Sequence, residues 1–501
     1  MRKLLAVILA LALTAGCALA EMPKAPDYIL EGFDGESTGV TWETNLFFER
    51  MQAKTGVSFQ FRQATSSDKW TARKQEIARG EDLPDVLFKA ELTAEETAQM
   101  AKDGILIDLK PYLEQYAPDL WTILQENPEY LEAITLPDGR IAALPAFNRL
   151  QNNDLMWINR SWLKRLGLET PTTAGELTDV LRAFKTRNPN GQNGADEIPL
   201  TFIGMWELRF LAHAFGIIDN DYYVTAEDGK VVSHLTTDEN RAFLEWLHIL
   251  WEEELLDHNG FSIPDTLRQM TDENKAIPYG LIMGSTPLTT IPTSALDQYD
   301  VLMPLKADGK QVYRDFAGDL IPGTFAITSA CKEPEKLVAW VNTLYTEEGS
   351  RMAQYGLEGE EYSWRDDGLW EWKEDLNTVA NYILPANTIS NGNAAPGIAL
   401  EDFQLKYSDE ATSRNITMMA EAKQYSVKPF PSVLLNDEDA AEIARIQKEL
   451  GKYAERTMAC FVTGDIPLDD ENWQVFCDKV HELGLDDAVS IWQKYVTKGN
   501  E

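Results

Sequence analysis

Two short stretches of this chain have residue types and spacings that could do chemistry. The first runs from Asn188 to Glu197, reading NPNGQNGADE. Oxygen-bearing side chains recur there at alternate positions around glycine, and Asn188, Asn190, Gln192, Gly194, Asp196 and Glu197 form the candidate set. A hard cation such as calcium needs several oxygens converging at about 2.3–2.6 Å. A plain Asn/Gly turn explains the same residues, so both readings stand. A cation here would staple a loop rather than catalyse. The second stretch is Gly35-Glu36-Ser37-Thr38-Gly39, a formal G-x-S-x-G between a strand pattern and a helix pattern. That is the context of a nucleophile elbow. Nothing marks a catalytic histidine to serve it: His213, His234, His248, His258 and His481 lie in helical or loop patterns without a distinctive Asp partner. A ligand-facing loop after the first strand fits the residues equally well.

The elements that must position these groups follow from size and pattern. With 501 residues the chain is too long for one compact core, and two or three domains are expected. Hydrophobic residues at 44% and charged residues at 25% describe a globular protein. Lysine and arginine number 45 against 81 aspartates and glutamates, a net charge of −36. Such a surface repels nucleic acid and anionic lipid, so neither is expected as a partner. Residues 1–20 read as a signal peptide: Arg2-Lys3 is the positive start and Leu4 to Leu13 an apolar run too short to span a bilayer. Cleavage after Ala18-Leu19-Ala20 competes with a lipobox-like Thr14-Ala15-Gly16-Cys17, in which Cys17 would carry lipid. The other cysteines, Cys331, Cys460 and Cys477, are too few for a disulfide framework. Cys460 and Cys477 could pair, but small buried hydrophobes are the simpler reading.

Tyr28-Ile29-Leu30, the helical spacing from Trp42 to Thr55 closed by Gly56, and alternating Val57 to Phe61 make a β-loop-α-β opening, an α/β signature. A polar break, Asn148 to Asn153, separates two apolar runs, Ile141–Leu144 and Leu155–Ile158, and marks a crossing between domains. Gly167 can end the helix that follows. Thr173 with Glu176 is a capping-box pattern opening another. Further helices are expected over Thr201–Phe215, Asn240–Glu254, Asp257–Ala276 and from Pro334, with strands at Ile277–Ser285, Tyr299–Pro304 and Gly323–Thr328. The chain beyond Asn436 reads as helical.

Several motifs together resemble the carbohydrate-binding, extracellular solute-binding proteins of bacterial ABC importers. They are Gly80-Glu81-Asp82-Leu83-Pro84-Asp85-Val86, the crossing around Asn148, Tyr345-Thr346-Glu347-Glu348-Gly349 with Tyr355-Gly356-Leu357-Glu358-Gly359 and Tyr362-Ser363-Trp364, and Phe461 to Leu468. The resemblance implies an α/β, two-lobed, periplasmic-binding-protein-like fold of type II. Each lobe would be a mixed sheet flanked by helices, with extra C-terminal helices. It places 26–148 and 328–385 in the N-terminal lobe, and 149–327 and 386–501 in the C-terminal lobe. It also implies a saccharide ligand, an ABC permease with its cytoplasmic ATPase as partner, a monomer, an exported location and no catalysis. The Asn188–Glu197 stretch is similar to the family's calcium loop, from which it departs: Asn188 replaces the usual first Asp and Gln192 a usual Asn. Asp196 and Glu197 remain its only anions, so calcium affinity should be lower.

A sugar presents hydroxyls and weakly apolar C–H faces, gripped by aromatic plates and by Asp, Asn, Gln or Arg. The 14 Trp, 17 Tyr and 19 Phe supply rings in excess, and stacking adds about 0.5–1.5 kcal/mol per ring beyond area burial. Rings and polar groups beside polar loops are the candidates: Trp70, Phe147, Asn148, Trp206, Ser285, Asp315, Phe316 and Asn391, with Asn393 close behind. Two other functions are consistent with the residues, an exported glycoside hydrolase or lyase and a binding module for a peptide or anionic glycan.

Overall fold

The computed structural model describes residues 26–35, 40–147, 154–192, 196–262, 270, 275–315, 320–390, 393–430 and 435–496. In its first half the strands are β1 (Tyr28–Phe33), β2 (Phe59–Ala64), β3 (Val86–Phe88), β4 (Leu144–Phe147), β5 (Leu155–Asn159) and β6 (Ile198–Thr201). A small ribbon of β7 (Thr225–Glu227) and β8 (Lys230–Val232) precedes β9 (Tyr279–Gly284) and β10 (Tyr299–Leu302). Another, β11 (Lys306–Ala307) with β12 (Lys310–Gln311), precedes β13 (Tyr313–Arg314) and β14 (Leu320–Ile327). The last are β15 (Tyr362–Trp364), β16 (Trp370–Trp372) and β17 (Ser426–Val427).

The first sheet has the order β2-β1-β3-β14-β4. Strands β1, β2 and β3 are parallel, and β14 runs against both β3 and β4. Alternation buries both faces: Val86 and Phe88 enter one apolar cluster with Trp42, Phe47 and Trp340, whereas Leu87 enters another with Trp70 and Ile77. The helix Leu46–Thr55 joins the first cluster through Phe47, Phe48 and Met51, begins where the Asn45 side chain accepts the Phe47 N–H, and ends at left-handed Gly56.

The second sheet, β10-β5-β9-β6, has its own core. Every residue of β5 is buried, as a continuous apolar run requires. The C-terminal helices Asp437–Thr463, Asp470–Glu482 and Leu485–Gln493 pack there through Met458, Phe461, Phe476 and Trp492. Helix Ala174–Thr186 begins as its residues suggested, with a shifted box: Thr173 Oγ1 accepts the Glu176 N–H, while Glu176 Oε2 accepts the N–H of Thr172.

The structure differs from the sequence reading in several places. Leu320–Ile327 belongs to the first sheet, so the chain returns to the first lobe before Leu320 and not after 327. Gly323 makes this possible: at φ +69°, an added Cβ would lie 2.1 Å from the Leu92 carbonyl oxygen. The segment beyond 385 also stays with the first lobe at first, with Ile389 in its core and the Phe147 N–H donating to Gly397 O. The chain leaves after an aromatic cluster on the β15–β16 hairpin, where Trp370 stacks on Phe403, and passes Ser408 into helix Glu410–Lys423, which packs on β10. The helix expected over Thr201–Phe215 is a short α-helix, Gly204–Leu208, followed by a 3-10 turn, Arg209–Phe215. Of the helix expected over Asp257–Ala276, residues 258–262 form turns, and 263–269 and 271–274 lie outside the described residues. Cys331, Cys460 and Cys477 are all unpaired. Among the described residues no helix is long and apolar enough to cross a membrane.

Candidate functional site

In open α/β sheets, ligands sit beyond the carboxyl ends of the strands. The first sheet gathers such ends on one edge. Asp34 follows β1, Ser66 caps the helix after β2, Lys89-Ala90-Glu91 follow β3, and Phe147 ends β4 opposite Leu320. The second sheet does the same. Gly284 ends β9 opposite Leu155, Thr201 ends β6 opposite Ile282, and Leu302 ends β10 opposite Met156. That edge therefore carries Asp154, Ser285 and the turn leading to Trp206. Two crossings leave from these edges, Phe147 to Asp154 and Asp315 to Leu320. The lobes also touch directly where helix Ala94–Lys102 meets helix Asp437–Thr463.

On the first edge the charges are spent on one another. Asp34 Oδ2 accepts the Trp42 indole N–H at 2.9 Å, and its Oδ1 lies 3.0 Å from Lys89 Nζ. Burial pulls the Lys89 pKa down, and Asp34 opposes it. Trp70, a stacking candidate, is buried, and its indole N–H donates to Ala90 O at 3.0 Å. Its face belongs to the core, so it shapes the loop after β3 instead of meeting a ligand. Phe147 is likewise core, between Tyr130 at 5.3 Å and Tyr345 at 5.9 Å. Both were chosen for their polar neighbours, which report local sequence and not the direction of the ring.

The second edge keeps its ring in the open. Trp206 is 44% exposed, held edge-on to Phe210 at 6.5 Å. Gly204, at φ +65°, gives the indole room, since a Cβ there would lie 3.1 Å from the ring. Behind it Tyr313 is fully buried, and burial followed by the Asp154 charge raises its hydroxyl pKa far above the usual value. The Arg314 charge lowers the same pKa and that of Glu207 raises it. Glu207 Oε2 accepts the Ile203 N–H at 2.5 Å. Arg314, buried at the second crossing, donates to Asp221 Oδ1 at 2.5 Å and lies 5.0 Å from the Phe210 ring centroid. Ser285 is half-buried just past β9, and the half-buried Asp315 donates its N–H to Val427 O at 2.9 Å. Trp206 follows β6 and Ser285 follows β9 on this edge, while Asp315 follows β13, whose Tyr313 ring lies 6.3 Å from that of Phe210. Asn148, Phe316 and Asn391 lie outside the described residues. Asp34, Lys89, Glu91, Asp154, Glu207 and Arg314 were missed. Asp34, Lys89 and Asp154 carried a usable signal, a lone charge abutting an apolar strand.

The G-x-S-x-G motif lies mostly outside the described residues, with Ser37 among those not described. His213 has both ring nitrogens engaged, by Phe210 O at 2.6 Å and the Leu305 N–H at 2.9 Å, and burial lowers its pKa to about 4. His234, against expectation, does have an acid partner: Nδ1 lies 2.7 Å from Asp219 Oδ1. Asp219 also accepts the His234 N–H, so the pair closes a turn of the second lobe. His481 likewise pairs with Asp486 at 3.0 Å, on the surface.

The oxygen-rich loop is knitted by its own amides. Asn188, at φ +47°, donates to Gln192 O at 2.9 Å, and Asn190 Nδ2 donates to Asp196 Oδ1 at 3.0 Å. Arg165 donates to Pro189 O. Glu197 is 6% exposed, and its Oε1 has no hydrogen-bond partner among the described residues. A buried, unmatched carboxylate oxygen is what a cation would satisfy. Gly194 is not described, and among the described residues no cluster of three or more His, Cys, Asp or Glu is placed to hold a metal.

Each sheet thus gathers strand ends and polar loops on one edge, where α/β domains hold their ligands. The family model described as bacterial extracellular solute-binding protein matches residues 35–351. The chain belongs to this family. A relative, the fructooligosaccharide ABC transporter substrate-binding protein FusA of Streptococcus pneumoniae serotype 4, is 29% identical over 97% of this chain and 95% of its own. The structure of FusA in complex with kestose superposes with a TM-score of 0.76, at 27% identity, covering 94% of this chain and 98% of that one. An EF-hand mutant of FusA in complex with fructo-nystose matches with a TM-score of 0.75, at 27% identity over 93% and 98% of the two chains. Lipoprotein LipO of Bacillus subtilis is 21% identical over 80% of this chain and 76% of its own. The α/β, two-lobed fold is that of these solute-binding proteins, and the family binds its solutes without converting them.

Proposed function

We propose that this solute-binding protein is the oligosaccharide-capturing subunit of an ABC importer and that its guest is a short, neutral fructooligosaccharide of the kestose or nystose kind. The observation that carries the reading is Trp206, an exposed indole plate next in sequence to the buried carboxylate Glu207, on the sheet edge that also carries the buried Asp154. A ring stacks on the C–H face of a sugar, and carboxylates accept from its hydroxyls. The same carboxylates repel an anionic glycan. Likeness to FusA over nearly the whole of both chains supports the choice of sugar. The lobes close as units, 26–147 with 320–407 against 154–315 with 409–496, and closure is driven by the ligand's preference for the closed form. The closed form then docks on the membrane permease that the cytoplasmic ATPase drives. Ser285, Asp315 and the undescribed Asn148, Phe316 and Asn391 complete the proposed site. The protein works outside the cell, as a monomer, with Cys17 as its lipid anchor if the lipobox is used.

Thermal unfolding with kestose, nystose and an acidic glycan tests this reading. Ligand at a hundred times its dissociation constant adds about 2.7 kcal/mol. A rise with the neutral sugars and none with the acidic glycan is expected. No rise with either fructooligosaccharide, or release of new reducing ends, would overturn it. Asn188, Asn190, Gln192, Gly194, Asp196 and Glu197 would hold calcium through side-chain and backbone oxygens, and the ion would fasten the loop. Calorimetry on metal-free protein should show heat on adding calcium, and Glu197→Gln should abolish it.

A further inference from the structure

At the carboxyl end of β3 the backbone is held against its preference. Lys89 (φ +53°) and Glu91 (φ +43°) are both left-handed, which non-glycine residues adopt at a cost. Such conformations persist where the surroundings over-determine them, and they cluster at ligand sites. Here the surroundings do. The fully buried Lys89 ammonium lies 3.0 Å from Asp34 Oδ1 and donates to Ile389 O at 3.0 Å. The Lys89 carbonyl accepts from Asn393 Nδ2 at 3.0 Å. Ala90 donates its N–H to Thr324 O at 3.3 Å, and Glu91 Oε1 accepts the Ala394 N–H at 2.5 Å. Three of these bonds reach residues 300 or more positions away in the sequence. Replacing such a buried ion pair as a whole by apolar side chains is often neutral for stability, so the value of the pair lies in what it holds in place.

We propose that Lys89 and Glu91 are positioning residues for ligand capture. They clamp Ile389, Asn393 and Ala394 onto the carboxyl edge of the first sheet, so that this wall of the cleft is formed before the ligand arrives. A preformed wall spares the ligand the cost of ordering it. The inference rests on the oligosaccharide-capture reading for its consequence, and on the clamp geometry for its existence.

Lys89→Met, Glu91→Ala and Glu91→Gln, each made in the full chain, test it by two measurements. In ligand-free protein, hydrogen exchange of the Ala394 amide should quicken by about ten-fold or more in Lys89→Met and Glu91→Ala, with the β3 amides unchanged. Kestose affinity should fall by about ten-fold or more in the same two variants and stay within about two-fold in Glu91→Gln, which keeps an acceptor oxygen. Variants that melt lower yet bind kestose as tightly as the parent would overturn the proposal and leave the clamp merely structural. If the parent protein binds neither kestose nor nystose, the sugar assignment fails alone, and unchanged Ala394 protection is then what would refute the clamp. Should Lys89→Met fail to fold, the two Glu91 variants decide.

Discussion

The two edges of the cleft solve different problems with similar residues. On the first lobe, Asp34, Lys89 and Glu91 bond to one another and to backbone, and the nearby rings of Trp70 and Phe147 are buried. On the second lobe the ring of Trp206 is open, and the charges of Asp154, Glu207 and Arg314 bear on the hydroxyl of a buried tyrosine. In the proposed function the first edge is a braced wall and the second the surface that meets the sugar. An aromatic residue beside a polar loop can therefore be a beam or a plate, and only the direction of the ring tells which.

Replacing one residue of each kind gives the sharpest contrast. Phe147→Ala empties a core site and should lower stability by about 3–5 kcal/mol, read by denaturant unfolding. A cost below about 1 kcal/mol would mean that Phe147 is not core and would break the comparison. Next, Asp154→Asn removes a charged acceptor and should weaken binding of neutral sugar by about 1.5–3 kcal/mol, measured by calorimetry, with the fold intact. Unchanged affinity would take Asp154 out of the surface that meets the sugar. Trp206→Ala should cost about 1–2 kcal/mol of sugar binding with little change in melting temperature, because an exposed ring contributes little to the fold. A large loss of stability with unchanged affinity would make Trp206 a beam like Phe147.

The smallest effect concerns pH. The hydrogen bond to Asp219 raises the His234 pKa above its ordinary value, against the opposing effect of burial. Its contribution to stability is therefore fully present below the unfolded histidine pKa, about 6.5, and is lost as pH rises through the folded value. His234→Gln should thus lower the melting temperature more at pH 5.5 than at pH 8.5. An equal loss at both would show that the pair acts through packing alone. Away from the cleft, the same variant should leave sugar affinity unchanged, which separates the scaffold of the second lobe from its sugar-meeting surface.

Much of this was legible in the order of residues. The β-loop-α-β opening, the helix stop at Gly56 and the cap at Thr173, the apolar run of β5 and the family motifs around Gly80 and Tyr345 are local patterns, and local patterns survive in one dimension. Other features were not legible for the same reason. That Leu320–Ile327 returns to the first sheet depends on Gly323 passing the Leu92 backbone, a contact between distant segments. Trp70 and Phe147 have neighbours as polar as those of Trp206, so sequence could not say which ring faces the gap. The partner of His234 lies 15 residues away across a turn, without a motif.

The sequence by itself determined the elements, the two-lobed α/β class and the family, because periodicity, capping and short motifs are properties of neighbours along the chain. Tertiary structure alone decided which side chains meet the guest. Orientation, burial and the pairing of charges such as Lys89 with Asp34 and Ile389 arise only when segments remote in sequence are brought to one edge and water is excluded between them.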